Sequence, residues 1–205
     1  MNLSSEGIAE IYKKQERSLL LQALRQQNET LQSILNNLAE GVIVADKNGR
    51  FVFFNPVAEH ILGIGLQKIS QDDWAKVYGT YYLDKTTPYP SDQLPLARAI
   101  RGEKVIDEPI FIKNPERPEG VYIEVSASPL KDKRGAIVGG TVIVRDVTKI
   151  KEAEAEKEKS ETRVKAQFKG FPIPTYVWQF KEDDFVLVDY NDAAAIIDKN
   201  NIQKF

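Results

Sequence analysis

The amino-acid sequence predicts an α+β fold built on an antiparallel sheet. Residues 41–45 and 51–54 are apolar segments on either side of Asp46-Lys47-Asn48-Gly49, a hairpin turn whose Asn and Gly tolerate positive φ. Helical segments come next along the chain. Three further apolar segments follow, separated by short polar links, at residues 105–113, 121–130 and 136–145. Strands joined by hairpins, with the helices grouped between them, indicate an α+β architecture rather than repeated βαβ units.

The composition narrows the classes of function. The 205 residues include 28 Lys and Arg against 30 Asp and Glu, and this balance argues against a nucleic-acid-binding protein. The chain has no cysteine, which excludes disulfides, thiolate metal sites, cysteine nucleophiles and cysteinyl-flavin chemistry. The first residues lack the features of a signal peptide, and no apolar run approaches the roughly 20 residues of a membrane span. The expected location is therefore the cytoplasm.

Residues 4–37 are predicted to form one long helix, since they contain no proline and no glycine after Gly7. Alternating spacings of four and three residues give a coiled-coil seam at Leu20, Leu24, Gln27, Leu31, Ile34 and Leu38. Two interpretations stay open. The helix can cover its own domain as an amphipathic helix. Alternatively, it can form a parallel dimer through the apolar seam residues Leu20, Leu24, Leu31 and Ile34.

Helix start signals place the short helices that follow the first hairpin. Asn55 is predicted to be an N-cap, with Pro56 at the first helical position. Residues 63–90 are irregular and are punctuated by glycine and proline. Residues 91–101 then form a predicted helix, with Pro95 in its first turn.

The last strand of the predicted sheet is apolar on both of its faces. A solvated face of an antiparallel sheet normally carries polar residues. In this strand both the odd-numbered and the even-numbered positions, which point to opposite faces, carry apolar residues: Ile137, Val138, Val142, Ile143 and Val144. We therefore expect an apolar cover on the outer face, supplied by the 4–37 helix of this chain or of a dimer partner. Gly139-Gly140 predicts a bulge or a close approach to a neighbouring strand.

Four sequence motifs, in the right order, resemble the PAS sensor family. They are LAEGVIVADKNGRFVFFNPVAEHILG at 38–63, DKTTPYPSDQLPLARAIRGEKV at 84–105, SASPLKDKRGAIVGG at 126–140 and RDVT at 145–148. The second motif departs from the family pattern at Lys85, where glycine is usual, and by one extra Thr before Pro88. The resemblance covers about residues 39–148. It implies a five-stranded antiparallel sheet with helices on one face, around a small cavity.

Residues 149–167 are predicted to be a highly charged helix, and Thr148 is placed to cap it. This helix is interpreted either as a solvated single helix or as a signalling helix that pairs with a copy of itself. The resemblance favours the second interpretation.

Residues 168–205 repeat the strand–turn–strand–helix pattern of residues 41–62. The segment Tyr190-Asn191-Asp192-Ala193-Ala194 resembles the family's N-x-A-A motif. We expect the truncated start of a second PAS domain. The predicted organisation is an N-terminal amphipathic or coiled-coil helix at 1–38, a PAS domain at 39–148, a charged linker helix at 149–167 and the second domain's start at 168–205.

An aromatic cluster marks a candidate ligand pocket. The cluster Phe53, Trp74, Tyr78, Tyr81 and Tyr82 indicates either core packing, which is the favoured interpretation, or a cavity for a planar or apolar ligand. The predicted pocket set is Phe53, Trp74, Tyr78, Leu96, Ile100, Ile110, Val125 and Val142. The sequence requires no cofactor, and the cofactor stays unknown. Haem through the single histidine, His60, and cysteinyl-flavin are not indicated.

No catalytic or metal-binding set is recognisable in the sequence. The phosphate-binding pattern G-x-x-x-x-G-K-[ST] is absent, and one histidine gives no Ser–His–Asp arrangement. We therefore expect this chain to be no enzyme on its own. In the family that it resembles, the residues matching Asp146 and Thr148 hydrogen-bond across the junction between the last strand and the outgoing helix. These two residues are the predicted signal-transmission pair.

The resemblance implies the non-catalytic sensory and dimerisation part of a cytosolic bacterial signalling protein. A sensor histidine kinase of a two-component system is the first expectation, with a homodimer through the flanking helices and a transmitter domain outside this chain. One alternative is the regulatory part of a diguanylate cyclase or phosphodiesterase. Another is a ligand-free PAS dimerisation and docking scaffold. A small-molecule ligand is compatible with the first reading, and no nucleic-acid partner is expected.

Overall fold

The computed structural model describes the backbone of residues 5–181 and 183–197, and side chains within those ranges from residue 13 onward. The chain divides into two compact units, Met1–Thr148 and Lys149–Phe205. Among the described residues, no helix combines the length and the apolar character that crossing a membrane requires.

The described part of the first unit contains a long helix, a hairpin, three short helices, a two-residue strand and three longer strands. In chain order its elements are α1 (Ser5–Asn36), β1 (Gly41–Asp46), β2 (Phe51–Phe54), α2 (Pro56–Leu62), α3 (Trp74–Tyr78), β3 (Thr80–Tyr81), α4 (Pro95–Ile100), β4 (Val105–Asn114), β5 (Arg117–Lys131) and β6 (Ile137–Asp146). A 3-10 turn at Ser91–Gln93 precedes α4, so the predicted helix at 91–101 is a turn followed by a shorter helix.

The strands form one antiparallel sheet in the order β2-β1-β6-β5-β4-β3, and α2, α3 and α4 pack against its inner face. The predicted α+β class is confirmed. The expected strand count was wrong, since the sheet has six strands rather than five. The additional strand is Thr80–Tyr81, which pairs with Ile112 and Phe111 of β4. Two residues within a segment rich in glycine and proline are too few to produce a recognisable alternation.

Along the strands, side chains on the inner face of the sheet are buried and alternate with side chains on the outer face, as expected for a half-buried sheet. Ile43 and Ala45 of β1 are buried beside Val142 and Val144 of β6. The predicted close approach at Gly139 is confirmed, because a Cβ atom there would lie 2.1 Å from the carbonyl oxygen of Ala45. The backbone of β6 thus contacts β1 at a position that only glycine fits.

The outer face of the sheet is not covered by α1 of the same chain. Leu20, Leu24, Leu31 and Ile34 of α1 are between 50% and 65% exposed, and Val138 and Ile143 of β6 are 41% and 43% exposed. Of the two covers expected for this face, the 4–37 helix of the same chain is therefore wrong, and the helix of a dimer partner stays a prediction. One physical reason lies in the neighbouring strand, where Glu124 pairs with Arg145 and Ser126 with Ile143, so polar groups dilute the apolar surface of β6.

The second unit contains a helix, a hairpin and a short helix. Its elements are α5 (Thr148–Lys169, beginning at the last residue of the first unit), β7 (Tyr176–Lys181), β8 (Asp184–Tyr190) and α6 (Asp192–Ile197). The two strands pair antiparallel, with most of their apolar side chains exposed. The predicted strand–turn–strand–helix pattern is present. Its membership in a second PAS domain stays a prediction.

Candidate functional site

An apolar cavity of about 80 Å³ lies between the inner face of the sheet and the short helices. Six of the eight predicted pocket residues line it: Trp74, Tyr78, Leu96, Ile110, Val125 and Val142. The cavity wall also includes residues that the sequence did not single out, among them Ile43, Phe51, Phe54, Thr80, Ile112 and Val144. The structure thus brings most of the predicted set together around one space.

Phe53 and Ile100 are not among the residues that line the cavity. Phe53 pairs with Val44, whereas Phe51 pairs with Ala45 and Phe54 with Ile43, on the cavity side of β1. A register shift between Val44 and Ala45 puts these two phenylalanines, three residues apart, on the same face. Simple alternation along β2 cannot reveal such a bulge, so the sequence pattern pointed to the wrong phenylalanine.

The aromatic residues of the cavity form a packed group. The ring of Phe51 stacks on Trp74 with centroids 4.7 Å apart and meets Tyr78 edge-on at 5.6 Å. The Tyr78 hydroxyl donates to the carbonyl oxygen of Gly65 at 3.0 Å. Burial raises the pKa of Tyr78 to about 12, so this phenol is neutral at physiological pH. Tyr82 is stacked on Tyr89 instead, and neither residue belongs to the cavity wall.

Two buried polar atoms that belong to cavity-lining residues have no hydrogen-bond partner among the described protein atoms. They are the indole nitrogen Nε1 of Trp74 and the hydroxyl Oγ1 of Thr80. The two residues are 2% and 7% exposed. Buried polar groups are normally hydrogen-bonded, so these two atoms are exceptions within the core, while the surface of the cavity itself is apolar.

The predicted signal-transmission pair lies where β6 ends and α5 begins. The Asp146 carboxylate accepts a hydrogen bond from the backbone N–H of Thr148 at 2.9 Å. The Thr148 hydroxyl oxygen accepts from the backbone N–H of Tyr122 on β5 at 3.0 Å, and the N–H of Val147 donates to the Tyr122 carbonyl at 2.9 Å. We call Tyr122, Asp146 and Thr148 the relay junction, after the signal-transmission role that the sequence analysis predicts for Asp146 and Thr148. Tyr122 was missed because its role depends on strand pairing and not on local sequence.

Asn55 connects the incoming helix to the sheet. The predicted N-cap is confirmed, since its side-chain oxygen accepts from the N–H of Ala58 at 2.9 Å. The same oxygen accepts from Val42 N–H at 2.8 Å, and Nδ2 donates to the carbonyls of Leu35 and Glu40 at 2.9 and 3.0 Å. This fully buried amide therefore holds the last turn of α1 against the first hairpin.

Asn191 repeats this arrangement in the second unit. Its side-chain oxygen accepts from the N–H groups of Thr175 and Ala194, both at 3.0 Å. Its Nδ2 donates to the carbonyls of Phe171 and Ile173 at 2.9 and 2.7 Å. In the sequence, the signal for this role of Asn191 was the repeat of the 41–62 pattern in the second unit. By analogy with Asn55, that repeat indicated helix capping alone.

The incoming and outgoing helices attach at adjoining ends of β1 and β6. Gly41 at the start of β1 pairs with Val144, two residues before Asp146. The Glu40 carboxylate accepts a hydrogen bond from the Arg145 guanidinium at 2.6 Å and thereby raises the pKa of Arg145. The pair is solvent-exposed, so its contribution to stability is small. Its position nevertheless places both helix attachments side by side.

The remaining predicted residues lie on the surface. His60 is exposed on α2, and the four seam residues of α1 are exposed as described above. Among the described residues there is no cluster of three or more side chains suited to holding a metal ion.

Comparison with known proteins places residues 35–152 within a family model described as the PAS fold. A curated relative is the signal transduction histidine-protein kinase AtoS of Escherichia coli (strain K12), which is 28% identical over 142 residues. The match covers 69% of this chain and 22% of the relative, so the chain spans about a fifth of that protein's length.

Solved structures with a similar backbone are more distant in sequence. The PAS domain of Bordetella pertussis BvgS is 17% identical, with a TM-score of 0.43 over 67% of this chain and 98% of that one. The PAS domain of nitrogen regulation protein NR(II) from Vibrio parahaemolyticus is 18% identical, with a TM-score of 0.40 over 56% and 95% of the two chains. An RNA-binding light-oxygen-voltage receptor is 17% identical, with a TM-score of 0.47 over 68% and 38%.

Proposed function

The chain belongs to the PAS family, and on this premise we propose that it is the sensory and dimerisation module of a cytosolic bacterial histidine kinase. In this proposal the module forms a homodimer through α1 and α5. A change in the cavity alters the packing of β6, and the relay junction passes that change to α5. The curated relative is a histidine kinase, and it supports the choice of a two-component system over a cyclase or phosphodiesterase.

The observation that carries the proposal is the continuity between cavity and outgoing helix. Val142 and Val144 line the cavity, and the same strand ends at Asp146, whose carboxylate caps the first turn of α5. On the neighbouring strand, the backbone N–H of Tyr122 donates to the Thr148 hydroxyl oxygen, and the Tyr122 carbonyl accepts from the same hydroxyl. A shift of β6 relative to β5 must therefore strain or move the start of α5. Such an arrangement transmits a signal when two packings have similar free energies.

The proposal is tested by filling the cavity and watching the junction. Val142→Leu adds one methylene to the cavity wall, and Val52→Leu makes the same change at an exposed position of β2. We expect Val142→Leu to change the hydrogen-exchange rate of the Tyr122 amide by roughly threefold or more, or about 0.6 kcal/mol in opening free energy. Val52→Leu should leave that rate unchanged. NMR-detected amide exchange on the 205-residue chain measures both.

The Thr148→Val variant separates a relay from a general loosening of the sheet. It removes the hydroxyl that bonds to Tyr122 while keeping the branched shape of the side chain. With the Thr148 hydroxyl present, Val142→Leu should alter amide exchange in the first turn of α5, and with the hydroxyl absent it should not. An equal effect of Val142→Leu with and without the Thr148 hydroxyl would contradict the proposal.

A second candidate function is a ligand-free dimerisation and docking scaffold. The exposed leucines of α1 favour it, since they offer a coiled-coil seam without reference to the cavity. An absorbance spectrum and a native mass spectrum of the purified protein distinguish the two functions. A bound chromophore or small molecule supports the sensory module, whereas a dimer that retains no ligand and binds none in a screen supports the scaffold.

A further inference from the structure

The outer face of the sheet carries an aromatic pair of its own. Ile110 and Ile123 line the cavity. Their neighbours in the chain, Phe111 and Tyr122, point to the opposite face because successive side chains of a strand alternate. These two residues pair across β4 and β5, and their ring centroids are 5.0 Å apart. Phe111 is only 2% exposed although it lies outside the main core, so other groups on the outer face must cover its ring.

Gly120 and Lys85 lie against these two rings. A Cβ atom at Gly120 would lie 2.0 Å from Cζ of Phe111, so the Phe111 ring occupies the space that any larger residue would need there. The Lys85 ammonium is 5.2 Å from the ring centroid of Phe111 and 4.9 Å from that of Tyr122. A lysine ammonium within about 6 Å of a ring is attracted by the negative electrostatic potential of the ring face. Lys85 thus connects the loop after β3 to the outer face of β4 and β5.

The backbone at Lys85 is held in a conformation that lysine disfavours. Its φ is 64°, in the left-handed region, which glycine adopts freely and other residues adopt at a cost in free energy. The preceding Asp84 fixes this turn, since its carboxylate accepts from the N–H groups of Thr86 and Thr87 at 3.0 and 2.9 Å. A residue persists in such a conformation where other interactions compensate for the strain. The contact of the Lys85 ammonium with two rings is a compensating interaction of this kind.

Tyr122 is at the same time the residue that binds the start of α5. Its backbone N–H donates to the Thr148 hydroxyl at 3.0 Å, and its carbonyl accepts from the N–H of Val147 at 2.9 Å. Within the part of the chain that the structure describes, the Lys85 ammonium forms no ion pair that would compete with the rings. One residue therefore carries the lysine contact on its ring and the junction with α5 on its backbone.

We propose that Lys85 is a positioning residue of the relay junction. Its ammonium holds the ring of Tyr122 on the outer face, and this fixes the backbone groups that bind Thr148 and Val147. The 82–88 loop thereby acts on the start of α5 by a route that does not pass through the cavity. The inference rests on the proposed function for its biological meaning, whereas the contact itself stands on the geometry of Lys85 and the two rings.

Three substitutions at Lys85 separate the effect of the charge from that of the strain. Lys85→Met keeps a long side chain without the charge, Lys85→Arg keeps a cation that can lie over a ring, and Lys85→Gly removes the charge and the strain together. Lys133→Met is the matched control, since Lys133 is an exposed lysine in the turn between β5 and β6. NMR-detected exchange on the full 205-residue chain follows the Tyr122 and Val147 amides, which donate across the junction.

We expect Lys85→Met to speed the exchange of the Tyr122 and Val147 amides by about threefold or more, in keeping with the loss of a cation–π contact. Lys85→Gly should have the same effect despite its relaxed backbone, and Lys85→Arg should preserve the slow exchange. Lys133→Met should leave both amides unchanged. The amides of β1 should keep their rates in every variant, which would show that the change is local to the junction.

The resonances of Lys85 report the contact with the rings directly. The methylene protons next to its Nζ should resonate upfield of those of Lys133, because an aromatic ring shields protons that lie above its face. Tyr122→Leu removes one ring and leaves the backbone groups of this residue in place, so it should reduce the upfield shift. In the Tyr122→Leu background, Lys85→Met should lose most of its effect on the Val147 amide, as the coupling between two contacting residues requires.

The role of Lys85 is overturned if Lys85→Met leaves both amides unchanged, or if Lys85→Arg speeds their exchange as much as Lys85→Met does. It is also overturned if Lys85→Gly slows the exchange, because the strain and not the charge would then govern the junction. An effect of Lys85→Met that is equal with and without the Tyr122 ring would exclude the ring as its route.

These outcomes are distinct from those that test the proposed function. If Lys85→Met acts as expected and Val142→Leu leaves the junction unchanged, Lys85 positions the junction and the relay from the cavity falls. If Val142→Leu acts as expected and Lys85→Met does not, the proposed function stands and the role of Lys85 falls.

Discussion

At the scale of single residues, the buried asparagines show why a helix and a hairpin meet where they do. Asn55 and Asn191 each accept from two backbone N–H groups and donate to two carbonyls, the farther of them 20 residues upstream. Of the small side chains, only an amide offers both two donors and an acceptor. The side chain therefore ties the start of the following helix to the last turn of α1 in the case of Asn55, and to the segment just after α5 in the case of Asn191.

Asn55→Asp separates these two roles. Aspartate is as good an N-cap as asparagine, but it lacks the Nδ2 donors to Leu35 and Glu40 and adds a buried charge. We expect the free energy of unfolding to fall by about 2 to 4 kcal/mol. Urea unfolding at neutral pH measures it. Asn28→Asp on the exposed surface of α1 is the matched control and should change stability by less than about 0.5 kcal/mol. Equal losses for the two variants would contradict the role assigned to Asn55.

Tyr78 makes stability depend on pH in the alkaline range. Burial raises its pKa to about 12 from an ordinary value of 10.0. Between these two values the unfolded chain releases the phenolic proton while the folded chain keeps it, so the free energy of unfolding falls as pH rises. The loss from this residue is up to about 2 to 3 kcal/mol and is absent below the lower value.

Tyr78→Phe removes this titration, so a comparison of the variant with the wild type isolates the contribution of Tyr78. Denaturant unfolding of both proteins from about pH 9 to pH 12 should show the difference in their stability shrinking as pH rises. The pKa of Tyr89 is also raised by burial and by Glu108, but that residue is common to both proteins. Parallel pH profiles would show that Tyr78 titrates normally in the folded protein.

At the scale of elements, β6 joins the cavity, the neighbouring strand and the outgoing helix. The sequence predicted its apolar residues, its paired glycines and its capped exit, because each of these depends on local chemistry. It could not predict the bulge in β2 that turns Phe51 toward the cavity, the two-residue strand β3 or the contact of Tyr122 with Thr148. Those features depend on strand register, which is decided by pairing between distant segments.

Gly139→Ala tests the close approach of β6 to β1. The added Cβ would lie 2.1 Å from the Ala45 carbonyl oxygen, so a backbone must shift. We expect a loss of about 1–3 kcal/mol in the free energy of unfolding, the usual cost of overpacking. Gly65→Ala is the control, since its nearest neighbour is the end of the flexible Glu59 side chain at 3.1 Å. Chemical denaturation that finds Gly139→Ala as stable as Gly65→Ala would rule out the tight contact.

At the scale of the whole molecule, α1 offers a row of exposed leucines that its own chain leaves uncovered. Leu24 and Leu31 lie one heptad apart on the predicted seam and are 55% and 50% exposed. If this seam forms the homodimer, charges at both positions must weaken it. Leu24→Glu with Leu31→Glu should therefore shift the protein toward monomer, by tenfold or more in dissociation constant, given that each buried charge costs at least about 1.4 kcal/mol.

Sedimentation equilibrium over a range of protein concentrations measures this change. Gln22→Glu with Gln26→Glu adds the same number of acidic residues to α1 off the seam and should leave the dimer intact. A double leucine variant that dimerises as tightly as the wild type would move the interface away from α1.

The most direct test of the proposed relay is the distance between spin labels on the two α5 helices of a dimer. The chain has no cysteine, so Lys159→Cys gives one labelling site for each copy. The account predicts that Val142→Leu shifts the distance distribution by about 1–2 Å or more, and that Thr148→Val abolishes this shift. A distance distribution that Val142→Leu leaves unchanged would contradict the account. So would one that shifts equally with and without the Thr148 hydroxyl.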